Sequence, residues 1–370
     1  MQQLCEFSNL HQAWQSAKKG KNQRPNVALF GIHAEPLLLA LQQRLLEGSW
    51  RPSKYREFTI YDRKPRTICA APFADRVVHH ALMQRTSEAL EPAFHPHCYA
   101  CRPNKGVHKA VRQYQRWARR YPYVLQLDVR QYFSSINQHI LMEKLCKLVK
   151  DEGLQQLMGH IIGSTPKHLG RQFLLPHEDL VSYGEQSLGL PIGNLTSQHW
   201  ANLYLSELDY IVNDTLGCSA YLRYVDDMTL LGDSKEQLWH WRDQISHQLA
   251  DIGLQLHPSK QTITPTRLGI GLLGYRVFPD YVKLRKDAGF RYQRKLRRLA
   301  HDYSLGFVDV SDIKQSIAAW VGHGKMTRQN NLQTKVIMGV KFNRGCESKC
   351  EPAGVARRLL EQQTEQPTFG

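Results

Sequence analysis

The chain has 370 residues, long enough for a large core and two or three subdomains. Its 49 Lys and Arg against 33 Asp and Glu leave a formal net charge of +16, which suits a polyanionic partner, nucleic acid ahead of a membrane surface. An apolar share of 42% excludes wholesale disorder, and no run of about 18 apolar residues marks a transmembrane helix.

The first residues, MQQLCEFSNLHQAWQSAKKGK, carry no apolar signal core, so cytoplasmic residence is expected. The N-terminal hundred residues mix helical stretches such as AEPLLLALQQRLLEG with an extended EFTIYDRKPRTICAA. His79 and His80 in RVVHHAL are adjacent, a poor spacing for one metal ion, and read as helix residues. In YVLQLDV, Tyr123, Leu125, Leu127 and Val129 alternate with Gln126 and Asp128, a period-two strand that sets Asp128 on the face opposite the leucines.

SLGLPIGNLTSQ is a loop punctuated by Gly and Pro. It runs into QHWANLYLSELDYIVND, where Ala201, Tyr204, Leu205, Leu208 and Ile211 recur at helical spacing and Gly217 provides a stop. AYLRYVDDMTLLG reads as two short strands with Val225 and Asp226 near the hairpin turn. EQLWHWRDQISHQLADIG is an amphipathic helix, followed by LQLHPSKQTI and LLGYRVFP. KLRKDAGFRYQRKLRRLA then carries eight Lys or Arg against one Asp, and the last 25 residues read as a weakly ordered tail. Strands interrupted by helices, then a basic helical end, indicate an α+β core with a separate C-terminal subdomain.

The eight cysteines are scattered and form no compact disulfide framework. Cys98 and Cys101 make a CxxC, and Cys346 and Cys350 a CxxxC. Spacing alone permits a zinc site joining them, but reduced structural thiols fit their separation better.

The carboxylates carry the chemistry. An isolated Asp-Asp most often begins a surface turn, but Asp226 and Asp227 are flanked by apolar, strand-forming residues on both sides. If the Asp128 strand neighbours this hairpin, three carboxylates converge. Such an oxygen-only cluster suits Mg2+, and two ions roughly 3.5–4 Å apart would support an in-line phosphoryl displacement.

YVDD, with LDVRQYFSSI upstream and the loop GLPIGNLTSQ, resembles the palm motifs of reverse transcriptases. KPRTICAAPFADRVVHHAL resembles their fingers, LQLHPSKQTI the later palm motif and LLGYRVFP the primer grip. The set APFADRVVHHAL, CYACRPNKGVHKA, LPIGNLTSQ, GYRVFP and IAAWVGHGK is similar to reverse transcriptases of diversity-generating retroelements, a likeness that covers about residues 50 to 340.

The resemblance implies a right-hand polymerase: fingers with an N-terminal extension over residues 1–120, an antiparallel palm sheet backed by helices over 121–280, a helical thumb over 281–345 and a tail over 346–370. It implies that Asp128, Asp226, Asp227 and the Val129 backbone hold two Mg2+ ions, with Mn2+ a substitute, and that Lys260 donates a proton to leaving pyrophosphate. Lys64 and Arg66 would clamp the triphosphate, and Phe133 would be the steric gate against a ribose 2′-hydroxyl. Pro191, Ile192, Gly193 and Asn194 would back the nascent base pair. Many reverse transcriptases carry glutamine where this chain has Ile192; the diversity-generating subfamily does not, and its nucleotide selection is expected to be weaker. The basic segment from Lys283 to Arg298 would grip duplex backbone.

The implied reaction is mutagenic copying of a template-repeat RNA into cDNA, error-prone at adenines, during retrohoming that diversifies a target gene. The partners would be template RNA, DNA primer and cDNA, dNTPs and a small basic accessory protein, with no membrane. Few residues follow the thumb, so no ribonuclease H or nuclease domain is expected in this chain. Two other readings stay open: a group II intron-like or defence-associated reverse transcriptase, and a catalytically inert RNA-binding protein on a polymerase scaffold. The presence of all three aspartates and the gate counts against the last.

Overall fold

A computed structural model describes residues 1–61, 65–327 and 330–343, and the chain falls into two compact units, 1–266 and 267–370. The boundary at Thr266 lies before residue 280, to which the sequence expectation carried the palm. The content is mixed α and β, as expected, with three antiparallel sheets of two, four and three strands among the described residues.

In the first unit, α1 (Phe7–Lys18) and α2 (Ala34–Leu46) precede a hairpin of β1 (Arg56–Tyr61) and β2 (Pro65–Ala70). Helix α3 (Phe73–Leu90) packs on α1, and its Val77, Val78, Ala81 and Leu82 are shielded from solvent. His79 and His80 both lie on α3, as read from sequence, and burial pushes the His79 imidazole down to about 4. Helix α4 (Val107–Ala118) then leads to β3 (Tyr123–Asp128), followed by α5 (Gln138–Leu148).

The expected single helix over 198–214 is interrupted. Helix α6 (Leu195–Tyr204) stops at Leu205, whose ψ of 4° leaves the helical region, and α7 (Ser206–Tyr210) resumes before a π turn over Ile211–Thr215. Apolar spacing persists across the break, so the sequence pattern does not report it. Gly217 then turns the chain with a positive φ of 68°. The hairpin of β4 (Tyr221–Tyr224) and β5 (Asp227–Gly232) leads into α8 (Lys235–Asp251) and the short β6 (Thr262–Pro265).

The four-stranded sheet has the order β4-β5-β3-β6. Its pleat sorts the side chains. Leu125 stands opposite Leu230 and Leu127 opposite Met228, and these apolar residues join the main core with Trp200, Leu203 and Tyr204 of α6 and Leu238, Trp241, Ile245 and Leu249 of α8. Residues one step out of phase occupy the other face, and Asp128 and Asp227 are among them, directly opposite each other. Apolar burial on one face therefore fixes the register that brings two carboxylates together on the other.

The second unit has β7 (Ile270–Leu272), β8 (Tyr275–Val277) and β9 (Val282–Leu284), then α9 (Lys286–Ser304), α10 (Val310–Gly324) and α11 (Asn330–Met338). The basic segment is thus a strand before it is a helix. Tyr292 and Leu296 are buried in α9, and the Tyr292 ring stacks on Trp320 at 4.4 Å, whereas Phe290 is exposed. The expected tail over 346–370, with Cys346 and Cys350, lies outside the described residues.

Candidate active site

Asp128 ends β3 and Asp227 begins β5, so the two lie side by side where the sheet stops. Between β4 and β5 the chain turns through Val225 and Asp226, and Val225 takes a φ of +59°, uncommon for a β-branched residue. The amide of Val129 donates to the Asp226 carbonyl at 3.3 Å, which ties the turn to the end of β3. On the other side of β3 the amide of His257 donates to the Asp128 carbonyl at 2.7 Å and that of Arg130 to the Gln255 carbonyl at 2.8 Å. That flanking segment delivers Lys260, whose ammonium forms an ion pair with the Asp128 carboxylate.

Burial, then repulsion from Asp226 and Asp128, pushes the Asp227 carboxyl up to about 7. Burial and Asp128 raise that of Asp226 as well, against the attraction of Lys260 and Arg66. No group of three or more His, Cys, Asp or Glu among the described residues has closed to metal-ligand spacing. The three aspartates are neighbours held beside one lysine ammonium rather than a finished coordination shell. Their chemistry still suits a hard cation: all donors are oxygens, and adding positive charge would relieve the repulsion that raises Asp226 and Asp227.

Of the other residues singled out from the sequence, Arg66 is linked to this corner, and Phe133 and the 191–194 loop are linked to each other. Arg66 lies on β2, exposed, and acts electrostatically on Asp226. Lys64 lies outside the described residues. Phe133 sits in the short helix Tyr132–Ser135, half-buried, with its ring 5.7 Å from that of Tyr132 in an edge-on contact. Its carbonyl accepts from the amide of Leu190 at 2.8 Å, and the Ile136 carbonyl accepts from Gly189 at 2.8 Å. The loop with Pro191, Ile192, Gly193 and Asn194 is thereby joined to the Phe133 segment.

The same loop is joined to β2. The Cys69 amide donates to the Ile192 carbonyl at 2.9 Å, and at Gly193, with φ +120°, an added Cβ would meet Ile68 Cγ2 at 2.9 Å. Only glycine permits that approach without displacement. Asn194 is buried and immediately precedes α6. Among the described residues no further His, Cys, Asp or Glu joins the CxxC pair as a metal site: Cys98 is buried beside the sheet, and the Cys101 thiol donates to Gln198 Oε1 at 3.3 Å.

Two buried ion pairs were not foreseen. Arg223 pairs with Asp209 behind the turn, both fully buried, and Arg171 pairs with Glu178 in the segment before the Phe133-linked loop. Sequence reasoning places lone Arg and Asp residues at the surface. Arg223, however, sits inside a short, largely buried strand with apolar residues on both sides of it, a signal that could have marked it.

The raised Asp227 value gives a stability prediction. A folded-state pKa above the unfolded value of about 4 means that the native state binds more protons, so stability falls as pH rises from about 4 through 7. Without divalent cations, the Tm of Asp227→Asn should exceed that of the parent at pH 8 by a few degrees, roughly the shift for 1–2 kcal/mol, and the gap should close toward pH 4. Thermal melts across that range check it; a gap independent of pH counts against the repulsion.

Residues 56–277 match the family model described as reverse transcriptase (RNA-dependent DNA polymerase). The chain is 24% identical over 221 residues to Protein YkfC of Escherichia coli (strain K12), covering 56% of this chain and 50% of that protein. It is also 24% identical over 182 residues to the group II intron-encoded protein LtrA of Lactococcus lactis subsp. cremoris, covering 48% of this chain and 28% of LtrA. The chain thus spans half or less of the length of these curated relatives. Among solved structures, apo telomerase from Candida Tropicalis is similar in fold, with a TM-score of 0.50 at 12% identity over 78% of this chain and 58% of that one. With the family match covering well over half of its residues, the chain belongs to the reverse transcriptase family.

Proposed function

We propose that this chain is an RNA-directed DNA polymerase that transfers deoxynucleotides to a primer end at Asp128, Asp226 and Asp227. The observation that carries the reading is the register of β3 and β5, which sets Asp128 against Asp227 beside the Asp226 turn in a chain of this family. Two magnesium ions held by these carboxylates and the Val129 backbone, or manganese in their place, would lower the pKa of the attacking hydroxyl and neutralise charge on departing pyrophosphate. Lys260, already on Asp128, holds a proton where a leaving group can receive it. Arg66 and Lys64 bind the triphosphate, Arg66 through its fork of donors. The Phe133 ring excludes a 2′-hydroxyl, and the loop from Pro191 to Asn194 backs the base pair. In this assignment the hairpin β1–β2 belongs to the fingers, the four-stranded sheet to the palm and α9 to the thumb.

The finer reading is copying of a template-repeat RNA with errors at adenines, in a diversity-generating retroelement and with a small basic accessory protein. The ordered motifs support it, as does Ile192, which offers the nucleotide pocket no side-chain hydrogen bond. A group II intron-type enzyme is the second reading, favoured by the similarity to LtrA.

An RNA partner is supported by α4. Lys105, Lys109, Arg112 and Arg116 line a cavity of about 300 Å³ with Tyr99, Asn104 and Gln113, and no carboxylate lines it. The last three of these cations recur at helical spacing along α4, a linear array that fits successive phosphates better than one compact anion.

Three measurements test these assignments. Alanine at Lys109, Arg112 and Arg116 together should weaken RNA binding and reduce the log–log salt slope by about 2, near 0.7 for each phosphate no longer neutralised; an unchanged slope places the RNA elsewhere. Phe133→Val should raise the ratio of ribo- to deoxynucleotide incorporation in primer extension, and a constant ratio removes Phe133 from the gate. Ile192→Gln should lower the error rate at template adenines when cDNA from one RNA is sequenced for both enzymes. Accurate copying by the parent with its natural RNA and accessory protein would favour the intron-type reading.

A further inference from the structure

The turn that carries Asp226 and Asp227 has an unusual support. Arg223 stands directly opposite Met228, which in turn opposes Leu127, so its side chain leaves the sheet on the apolar face, away from the carboxylates. It is fully buried there. Its Nε donates to Asp209 Oδ1 at 2.7 Å and its Nη2 to Asp209 Oδ2 at 2.6 Å, a two-pronged pairing with a carboxylate on α7. Nη2 also donates to the Asn202 carbonyl at 3.0 Å and Nη1 to Asn202 Oδ1 at 3.4 Å, both on α6. The remaining Nη1 proton goes to the carbonyl of Val225 at 2.9 Å. All five guanidinium donors are used, and the Tyr221 hydroxyl adds a bond to Asp209 Oδ1 at 2.6 Å.

Stability alone does not call for this arrangement. A buried ion pair loses about as much in desolvation as it gains in attraction, and apolar residues of the same shape serve as well or better. What apolar residues cannot do is hold a particular carbonyl. The carbonyl held here belongs to Val225, the residue in the left-handed region, one position before Asp226. A β-branched residue does not stay in that region unless its surroundings impose it.

We propose that the Arg223–Asp209 pair is a positioning element for the catalytic turn: anchored on α6 and α7, it holds Val225 at positive φ and so aims Asp226 and Asp227 at the Asp128 corner. The break at Leu205 fits this role. It separates α6 from α7, so that Asn202 and Asp209 reach Arg223 from two helical segments rather than from one uninterrupted helix. Arg223 is also fixed through its backbone: its amide donates to the His97 carbonyl at 3.0 Å, and its carbonyl accepts from Tyr99 at 2.9 Å. The carboxylates on one face of the sheet are therefore oriented from the other. Neither Arg223 nor Asp209 touches substrate; both act through the turn.

The proposal rests on the reading of the three aspartates as metal-binding, so the experiment measures metal binding directly. Nucleotide-free protein is titrated with Mn2+ and bound ion is followed by paramagnetic resonance, for the parent, Asp209→Asn, Arg223→Lys, Val225→Gly and the double variant Asp209→Asn/Val225→Gly. RNA affinity and Tm report folding. With RNA affinity held within about twofold of the parent, Asp209→Asn should weaken Mn2+ binding about tenfold, the scale of losing a group that orients a ligand. The Mg2+ half-saturation of primer extension should rise by a similar factor. Lys at 223 keeps the charge but not the fork, and should show the same defect. Glycine at 225 adopts positive φ without support, so the double variant should regain part of the lost Mn2+ affinity.

A drop in Tm for Asp209→Asn and Arg223→Lys with Mn2+ and Mg2+ dependence unchanged would overturn the proposal and leave the pair as core packing. A double variant no better than Asp209→Asn would also overturn it. A parent that binds no Mn2+ would remove the functional reading itself, and this proposal with it.

Discussion

Asp128 and Asp227 face each other across β3 and β5, with Asp226 in the adjoining turn, so three mutually repelling groups share a partly buried corner. Much of the first unit serves to keep them there. The leucines on the opposite face of the sheet bury against α6 and α8 and lock the register, because a slip of one residue would exchange the two faces. Lys260 contributes one positive charge from the segment beside β3. Burial and mutual repulsion raise the Asp226 and Asp227 carboxyls, a cost that hydrophobic burial elsewhere in the unit offsets.

Around that corner the parts are joined by main chain more than by side chains. Phe133 is linked to Leu190, Ile192 to Cys69 and Val129 to Asp226 through backbone amides and carbonyls. Such links do not depend on side-chain identity, so the pocket can change its chemistry while its frame persists. The steric approach at Gly193 is the exception, since no other residue fits without moving Ile68.

Much of this was legible in the sequence, for physical reasons. The alternation in YVLQLDV and the apolar flanks of the Asp-Asp pair mark strands, the first by its period of two and the second by a short apolar run, since β4 and β5 are buried on both faces. Proximity between Asp128 and the hairpin was a conditional inference, and the register supplies it. The break at Leu205 left no trace, because hydrophobic spacing reports which face is buried and not the backbone angle at one residue. β9 was hidden because three residues are too few to show alternation inside a run of cations. The Arg223–Asp209 pair escaped notice because partners 14 positions apart declare themselves only once the strand and helix are packed together.

The link between Cys69 and Ile192 has a consequence for how such a pocket can vary. The Ile192 carbonyl holds the loop to β2, while its side chain takes no part in that bond. Position 192 is tied through its main chain and not through its side chain, so the side chain can be exchanged without removing the bond between hairpin and loop. Main-chain attachment and side-chain chemistry are thereby separable at a single residue, so one can change while the other is kept.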